Sequence, residues 1–244
     1  MSAVLTWRRE RLPMLLFGML SVYLALAAAG VKDTLQVGAL LLFAMQVFAA
    51  WCLVAAFRIL DDIADLPRDV VRTPDRVLVG VSDLRPFWFA ALGLLATGSL
   101  ILLVLTSWVG PVLVIGLAAC FGGFYRAGLG HREYWVLLKY PLFVIALGAE
   151  HWTTPVLVYL CFSIYEHIED SALREAPGAL LILIPHVLSA GLVTAMAVND
   201  PWWWMPAWTA TATLSVFAQV RNWPALAPVF LIFSIFVFQG VRHV

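Results

Sequence analysis

Long apolar runs recur from one end of this chain to the other, and they constrain its fold more than any other feature. Nine segments qualify: 13–30, 37–57, 86–106, 108–124, 134–149, 153–165, 177–198, 202–220 and 224–241. A helix needs about 20 mainly apolar residues to cross the hydrocarbon core of a bilayer, and most of these runs approach that length. Only 12% of the residues are charged. The sequence therefore predicts an all-α integral membrane protein with nine transmembrane helices and one domain over residues 1–244.

Basic residues are distributed unequally between the loops that these segments would create. If every segment crosses, thirteen of the fifteen Lys and Arg residues fall on one side, and only Lys32 and Arg242 fall on the other. Cytoplasmic loops are enriched in Lys and Arg, so we expect the N-terminus and the charged loops to be cytoplasmic and the C-terminus to lie on the opposite side. The first apolar run is interpreted as a retained span, because cleavage would release a chain that is itself mostly membrane-spanning.

Charge and cysteine placement exclude other classes. The net formal charge is zero, and binding to a phosphate backbone needs a clustered excess of Lys and Arg, so no nucleic-acid partner is expected. The three cysteines stand singly in apolar runs without the spacing of metal ligands, which favours packing roles. Membrane lipids are the partner that the composition requires.

Four aspartates follow the second apolar run in the stretch RILDDIADLPRD: Asp61, Asp62, Asp65 and Asp69. On a helix that turns about 100° per residue, these positions fall within about 100° of one another. Pro67 is expected to kink or end the helix and to leave Asp69 on a loop. Carboxylates this close repel one another, and Mg²⁺ with phosphate oxygens offsets that repulsion. The stretch therefore predicts a Mg²⁺–diphosphate site, and a solvated helix end is the alternative.

A second acidic stretch, SIYEHIEDSALRE, ends the sixth apolar run on the same predicted side of the membrane. Its carboxylates at Glu166 and Asp170 are one helical turn apart, so both can point towards one ligand. We expect this stretch to act with the first acidic group as a single metal clamp, because each group would repel itself without cations.

Positively charged side chains suited to a diphosphate lie on the same side. Arg68, Arg72 and Arg76 are spaced at intervals of four residues, the first inside the first acidic group and the other two after it. Lys139 lies inside the fifth apolar run, where an ionisable side chain usually has a function, although a lysine that extends to the membrane surface is the alternative. We expect Lys139 to contact the diphosphate, since a concentrated positive charge gains most from a dense anion in a low-dielectric setting.

These motifs resemble those of the UbiA-type intramembrane prenyltransferases. The first signature of that family, (N/D)DxxDxxxD, follows the second of nine transmembrane helices and is similar to the four aspartates here. The family's RxxxRxxxxG loop is similar to RTPDRVLVG, with Arg72, Arg76 and Gly80. Its second signature, DxxxD, is similar to EHIED, where Glu166 replaces the first aspartate. The family's Tyr-then-Lys element is loosely represented by Tyr125 and Lys139.

The resemblance implies helices bundled around a central apolar cavity with a polar cap at one face. It implies that two Mg²⁺ ions bridge both acidic groups to a prenyl diphosphate, whose loss gives an allylic cation that a lipophilic or aromatic acceptor attacks. The catalytic set would be Asp62, Asp65, Asp69, Glu166, Asp170 and Lys139, of which all but Lys139 would hold metal. The substrate-binding set would be Asp61, Arg68, Arg72, Arg76, Tyr125 and Tyr140, the tyrosines steadying the cation through their ring faces.

Other classes of function stay open at this point. A membrane terpene cyclase of the UbiA type would use the same diphosphate site but quench the cation within its own chain. A non-enzymatic transporter would place ionisable residues near the bilayer midplane, whereas these carboxylates cluster at one membrane face. That placement favours an enzyme. A CDP-alcohol phosphotransferase is not indicated, because its DGxxAR signature is absent.

Overall fold

The structure, a computed structural model, describes residues 3–29, 37–126, 132–149, 151–169, 173, 175, 178–197, 212–213 and 215–216. Helices joined by short turns make up these residues, and no strand occurs among them. The helices are α1 Ala3–Arg11, α2 Met14–Ala28, α3 Val37–Arg72, α4 Arg85–Thr106, α5 Val109–Arg126, α6 Arg132–Leu137, α7 Lys139–Ala146, α8 Thr153–Glu169 and α9 Ala179–Ala197. One turn of 3-10 helix lies at Val77–Gly80. The all-α class is therefore confirmed for the described chain.

Two of these helices are long and apolar enough to cross a membrane, with spans at Gly38–Val71 and Arg85–Thr106. The number in the described residues rises to three if α1 and α2, which are bent by 67° relative to one another, form one broken span. Shorter apolar helices lie at Val109–Gly123, Trp135–Ala146 and Ala179–Ala195. The membrane character is thus present in the structure, while nine crossings and the orientation of the chain stay predictions.

The predicted apolar segments agree closely with the helices in part of the chain. Segment 86–106 is α4 and segment 108–124 is α5, with ends that differ by at most two residues. Segment 134–149 instead forms α6 and α7 on either side of Leu138. Pro141 explains this break, because a continuous helix would lack the hydrogen bond from residue 141, whereas proline is tolerated in the first turn of α7.

Contacts within the chain group it into two compact units. Unit 1 consists of Met1–Ala25, Asp33–Arg132 and Ile145–Gly148, and unit 2 consists of Leu26–Lys32, Glu133–Val144 and Ala149–Val244. Helices α3, α4 and α5 therefore belong to unit 1, and α8 and α9 belong to unit 2. A single membrane domain over the whole chain remains a prediction.

The core of unit 1 forms where α1, α3, the 3-10 turn and the start of α4 meet. Its buried members are Trp7, Leu12, Ala55, Ile59, Leu78, Phe87 and Ala91. The Trp7 ring meets Phe87 edge to face, with ring centroids 6.0 Å apart. Burial of these large apolar groups fixes α1 against the C-terminal part of α3, which is where the aspartates lie.

The surface of unit 1 along α4 is strongly apolar. More than half of the residue surface is exposed at Phe89, Leu92, Leu100 and Val104. Contiguous apolar surface of this kind is costly in water and is typical of a face that another apolar phase covers. The exposure pattern therefore supports contact of α4 with lipid.

In unit 2, α8 packs against α9 and is buried on most of its circumference. The buried residues include Leu157, Val158, Ile164 and Ile168. A helix that is apolar all round is typical of the interior of a bundle. The C-terminal end of this buried helix carries Glu166, so the fold of unit 2 places a carboxylate next to an apolar core.

Gly110 lets the start of α5 lie close to the backbone of Ala146. A methyl group at this position would lie 2.8 Å from the backbone carbonyl oxygen of Ala146 and 2.3 Å from Oγ1 of Thr106, which itself donates to that carbonyl at 3.2 Å. We expect Gly110→Ala to destabilise the protein by about 1–3 kcal/mol, because backbone must move to make room. Thermal unfolding in detergent measures the effect.

Gly116 on the same helix offers a matched control. Apart from the backbone of α5 itself, no atom of the described residues lies within 4 Å of a methyl group added there. Gly116→Ala should therefore leave stability unchanged or raise it by up to about 1 kcal/mol, because alanine favours the helix. Equal melting temperatures for the two variants would show that the Gly110 contact does not limit packing.

Candidate functional site

The four aspartates of the first acidic group lie on one continuous helix. Helix α3 runs through Pro67 to Arg72, so the helix does not end at Pro67, and the predicted placement of Asp69 on a loop is wrong. Pro67 is exposed and removes only one backbone hydrogen bond, a loss that the neighbouring turns tolerate. Asp69 also accepts a backbone hydrogen bond from Thr73 at 2.9 Å, which continues the helical turn.

The aspartates face the protein rather than the surroundings. Asp61, Asp62 and Asp69 are buried, with 5%, 4% and 8% of their surface exposed, and Asp65 is half-buried. Arg68, between them in sequence, is exposed. The helical register therefore places the carboxylates in one stripe along the protected side of α3.

Asp62 is bound by side chains from α1 and from its own helix. The indole Nε1 of Trp7 donates to its Oδ2 at 2.8 Å. Arg11 donates from Nε to Oδ2 at 3.2 Å and from Nη2 to Oδ1 at 2.9 Å. One turn earlier on α3, Nη2 of Arg58 lies 3.6 Å from Oδ1. Both oxygens of this buried carboxylate therefore have donors, and two guanidinium groups offset its charge.

Asp62 supplies the countercharge of Arg11. Burial by itself would lower the pKa of the guanidinium, but the hydrogen bond and the charge of Asp62 outweigh burial, and the pKa of Arg11 is raised. The pair is thus an ion pair between a buried carboxylate and an arginine whose side chain is 22% exposed.

Asp69 is bound by residues that follow α3. Nη1 of Arg76 donates to Oδ2, and Oγ1 of Thr73 donates to Oδ1 at 3.1 Å. Arg76 comes just before the 3-10 turn, where buried Leu78 enters the core of unit 1. The turn therefore returns the chain towards α3 and brings a predicted diphosphate ligand, Arg76, to a predicted metal ligand, Asp69.

The candidate metal ligands of this stripe are of the chemical type that Mg²⁺ prefers. All candidate ligands are carboxylate oxygens, and Mg²⁺ typically binds one or two carboxylates plus waters and substrate phosphates. Among the described residues, no three His, Cys, Asp or Glu side chains form a group that could hold a metal ion by themselves. Nε of Arg58 is buried and has no hydrogen-bond partner in that part of the chain, so donor capacity for an anion is present beside Asp62.

In unit 2, the structure brings Lys139 and Tyr140 to α8. The Tyr140 ring stacks on Phe162 with centroids 4.1 Å apart, and Nζ of Lys139 lies 5.3 Å from the centre of the Tyr140 ring. Lys139 is buried, with 6% of its surface exposed, so the alternative of a lysine extended to solvent does not hold within the described residues. Phe162 is one helical turn before the half-buried Glu166, so a cation, two aromatic rings and a carboxylate occur in one part of unit 2.

Two histidines accompany this group. His167 follows Glu166 and is buried, with 1% of its surface exposed, so it is not a solvated side chain. Nδ1 of His186 lies 2.8 Å from the carbonyl oxygen of Ile182 within its own helix α9. This short contact gives Nδ1 a partner within its own helix, as is common for polar side chains in apolar helices.

Several predicted site residues lie outside the described part of the structure. Asp170 is one of them. The predicted segment 224–241 and all of segment 202–220 except residues 212–213 and 215–216 also lie outside the described residues. Arg72 and Tyr125 lie on described helices, but their side chains are outside the description. The metal clamp that joins both acidic stretches therefore remains a prediction.

Sequence reasoning missed three residues that contact Asp62. Arg58 precedes Asp62 by four residues, so helical spacing could have identified it. Trp7 and Arg11 are separated from Asp62 by 55 and 51 residues, and no local pattern connects them. Only the packing of α1 on α3 brings Trp7 and Arg11 to Asp62.

Each unit has its own group of candidate residues: unit 1 holds a stripe of protected carboxylates with arginines bound to it, and unit 2 separately holds a lysine, two rings and a carboxylate. Comparison of the chain with models of protein families, with curated proteins and with solved structures finds no match.

Proposed function

We propose that this protein transfers a prenyl group, within the membrane and with Mg²⁺, from a prenyl diphosphate to a lipophilic or aromatic acceptor. The observation that carries the proposal is the protected carboxylate stripe near the end of a membrane-length helix, with guanidinium groups of Arg11, Arg58 and Arg76 against it. Carboxylates recruit divalent cations, and arginines bind phosphate oxygens. Both are needed where a dense anion must be bound next to an apolar phase.

The residues of unit 1 have distinct roles in this proposal. Asp62, Asp65 and Asp69 would hold Mg²⁺, which when bound neutralises the negative charge of the diphosphate as it leaves, and Asp61 would belong to the substrate-binding residues. Arg76 binds the diphosphate, and Arg68 and Arg72 add positive charge near it. Arg11 and Trp7 position Asp62 by donating hydrogen bonds to both of its oxygens.

Unit 2 supplies groups suited to the other half of the reaction. Lys139 is a buried cation and would bind the diphosphate, since its charge gains most from an anion when water is excluded. Tyr140 and Phe162 offer stacked ring faces that stabilise positive charge, as an allylic cation requires. Glu166 and Asp170 would add metal ligands.

The proposal includes the membrane arrangement. Nine helices would cross the bilayer around a central apolar cavity that holds the prenyl chain, with the polar site at the cytoplasmic face. The bias of basic residues towards one set of loops supports this orientation. The C-terminus would lie on the opposite side.

Release of diphosphate tests the function. The purified protein in lipid nanodiscs is incubated with radiolabelled prenyl diphosphates of several chain lengths, with Mg²⁺ or with EDTA, and with a lipid extract as the source of acceptor. We expect diphosphate release that requires Mg²⁺ and a labelled product larger than the prenyl chain. Release of diphosphate with a cyclised hydrocarbon or a cyclic alcohol as product would indicate a cyclase instead, and a linear prenyl alcohol alone would indicate hydrolysis.

Asp75→Asn is the matched control, because Asp75 is an exposed aspartate outside the stripe. It should retain wild-type release. No Mg²⁺-dependent release with any prenyl diphosphate, from protein that is folded by its melting curve, would contradict the proposal and leave a non-enzymatic transporter as the next candidate.

A further inference from the structure

Helix α1 has one side on the core of unit 1 and another side exposed. Trp7 is 3% exposed and points with Arg11 towards Asp62. Leu5, Arg8 and Arg9 are exposed. Leu5 and Arg9 are one helical turn apart, so the exposed side of α1 combines an apolar group with two adjacent cations.

The contacts of α1 place it at one end of the two candidate spans. Trp7 packs on Phe87, which lies two residues after the span Arg85–Thr106 begins. Trp7 and Arg11 also bind Asp62, which lies towards the end of the span Gly38–Val71. A helix at the ends of membrane-crossing segments is at the level of the lipid headgroups.

The direction of α1 agrees with that depth. Helix α2 turns away from α1 by 67° and exposes the apolar side chains Met14, Leu16 and Met19. If α2 runs along the membrane normal, the 67° angle between the two helices inclines α1 closer to the membrane plane than to the membrane normal. This is the arrangement of an interfacial helix.

The exposed cations have no protein partner in the described residues. Neither Arg8 nor Arg9 forms an ion pair there, and the only neighbouring carboxylate on α1 is the exposed Glu10. Guanidinium groups bind phosphate oxygens with charge-assisted hydrogen bonds, and a leucine beside them can enter the boundary of the acyl chains. The chemistry of this side therefore matches a negatively charged lipid surface.

We propose that α1 is an interfacial helix whose Arg8 and Arg9 bind the phosphate groups of anionic phospholipids, with Leu5 in the adjacent acyl region. The inference stands apart from the proposed enzyme activity, because it uses only the position and the exposed side of α1. Its consequence for the site is mechanical: lipid on one side and Asp62 on the other hold α1 in place.

Energy transfer from α1 to labelled lipids tests the proposal. The full chain carries Cys120→Ser, because Cys120 is exposed and would react with the dye, whereas Cys52 and Cys161 are buried and are kept. A donor dye is attached at Leu5→Cys. The labelled protein is reconstituted in phosphatidylcholine nanodiscs with a small fraction of acceptor-labelled phosphatidylglycerol or acceptor-labelled phosphatidylcholine. We expect more energy transfer to labelled phosphatidylglycerol than to labelled phosphatidylcholine, and we call the ratio of the two the lipid preference. This preference should fall about fivefold for each arginine removed, in Arg8→Gln and then in Arg8→Gln/Arg9→Gln.

Two controls make the result specific. Glu10→Gln should raise the preference for phosphatidylglycerol, because it removes the carboxylate beside the arginines. A dye on Trp108→Cys, beyond the far end of α4, should show no preference between the two lipids. Salt should weaken the preference in the wild type. Equal transfer to both lipids from position 5, or a preference that survives Arg8→Gln/Arg9→Gln, would overturn the proposal. Both arginines are exposed, so their replacement should leave the melting temperature unchanged.

Discussion

Asp62→Asn is expected to destabilise the protein by about 3 kcal/mol, the lower end of the cost of breaking a buried ion pair. Asparagine has nearly the same shape, but it leaves the guanidinium of Arg11 without its countercharge and presents an amide where oxygen accepted a hydrogen bond. The Trp7 donor competes for the one remaining oxygen. Unfolding in detergent, followed by circular dichroism, measures the loss.

A double-mutant cycle identifies the cause. Arg11→Gln/Asp62→Asn removes both charges, so its stability should be similar to that of Asp62→Asn rather than lower by the sum of two losses. Asp75→Asn, at an exposed aspartate, should lie within about 0.5 kcal/mol of the wild type. Strictly additive losses from Arg11→Gln and Asp62→Asn would contradict the ion pair as a stabilising contact.

Asp65→Asn and Glu166→Gln are expected to lower the Mg²⁺-dependent release of diphosphate by about 10²-fold or more each, as removal of a group that stabilises developing charge does. If the two acidic stretches serve one metal–diphosphate assembly, the double variant should be little worse than the more damaging single variant, because the members of such an assembly fail as a unit. Steady-state rates over a range of Mg²⁺ concentrations provide the measurement.

The Mg²⁺ series separates a metal ligand from a structural residue. Loss of a ligand should raise the Mg²⁺ concentration needed for half-maximal rate, and Asp75→Asn should leave it unchanged. Melting temperatures close to the wild type show that the variants are folded. Full turnover by Glu166→Gln would remove the second acidic stretch from the site, and multiplicative losses in the double variant would show two independent roles.

The pattern of the sequence was sufficient for α4 and α5 and for the side of α3 that carries the aspartates, whereas α1 lies outside every predicted segment. Apolar periodicity and the spacing of Asp61, Asp62, Asp65 and Asp69 are local properties, and α3 keeps them in one register. The error at Pro67 was also local: a proline rule was applied to an exposed position on a helix whose remaining hydrogen bonds suffice. The break at Leu138 has a local cause in Pro141, but the apolar run alone concealed it.

The partners of the site residues required the tertiary structure. Composition and periodicity by themselves determined that the described chain is helical and apolar, and the sequence determined that carboxylates gather beyond a membrane-length run. Only packing decided that Trp7 and Arg11 bind Asp62, that Arg76 returns to Asp69, and that Tyr140 stacks on Phe162. The physical reason is that helical periodicity comes from neighbours three or four residues apart, whereas these contacts depend on how whole helices bury their apolar sides.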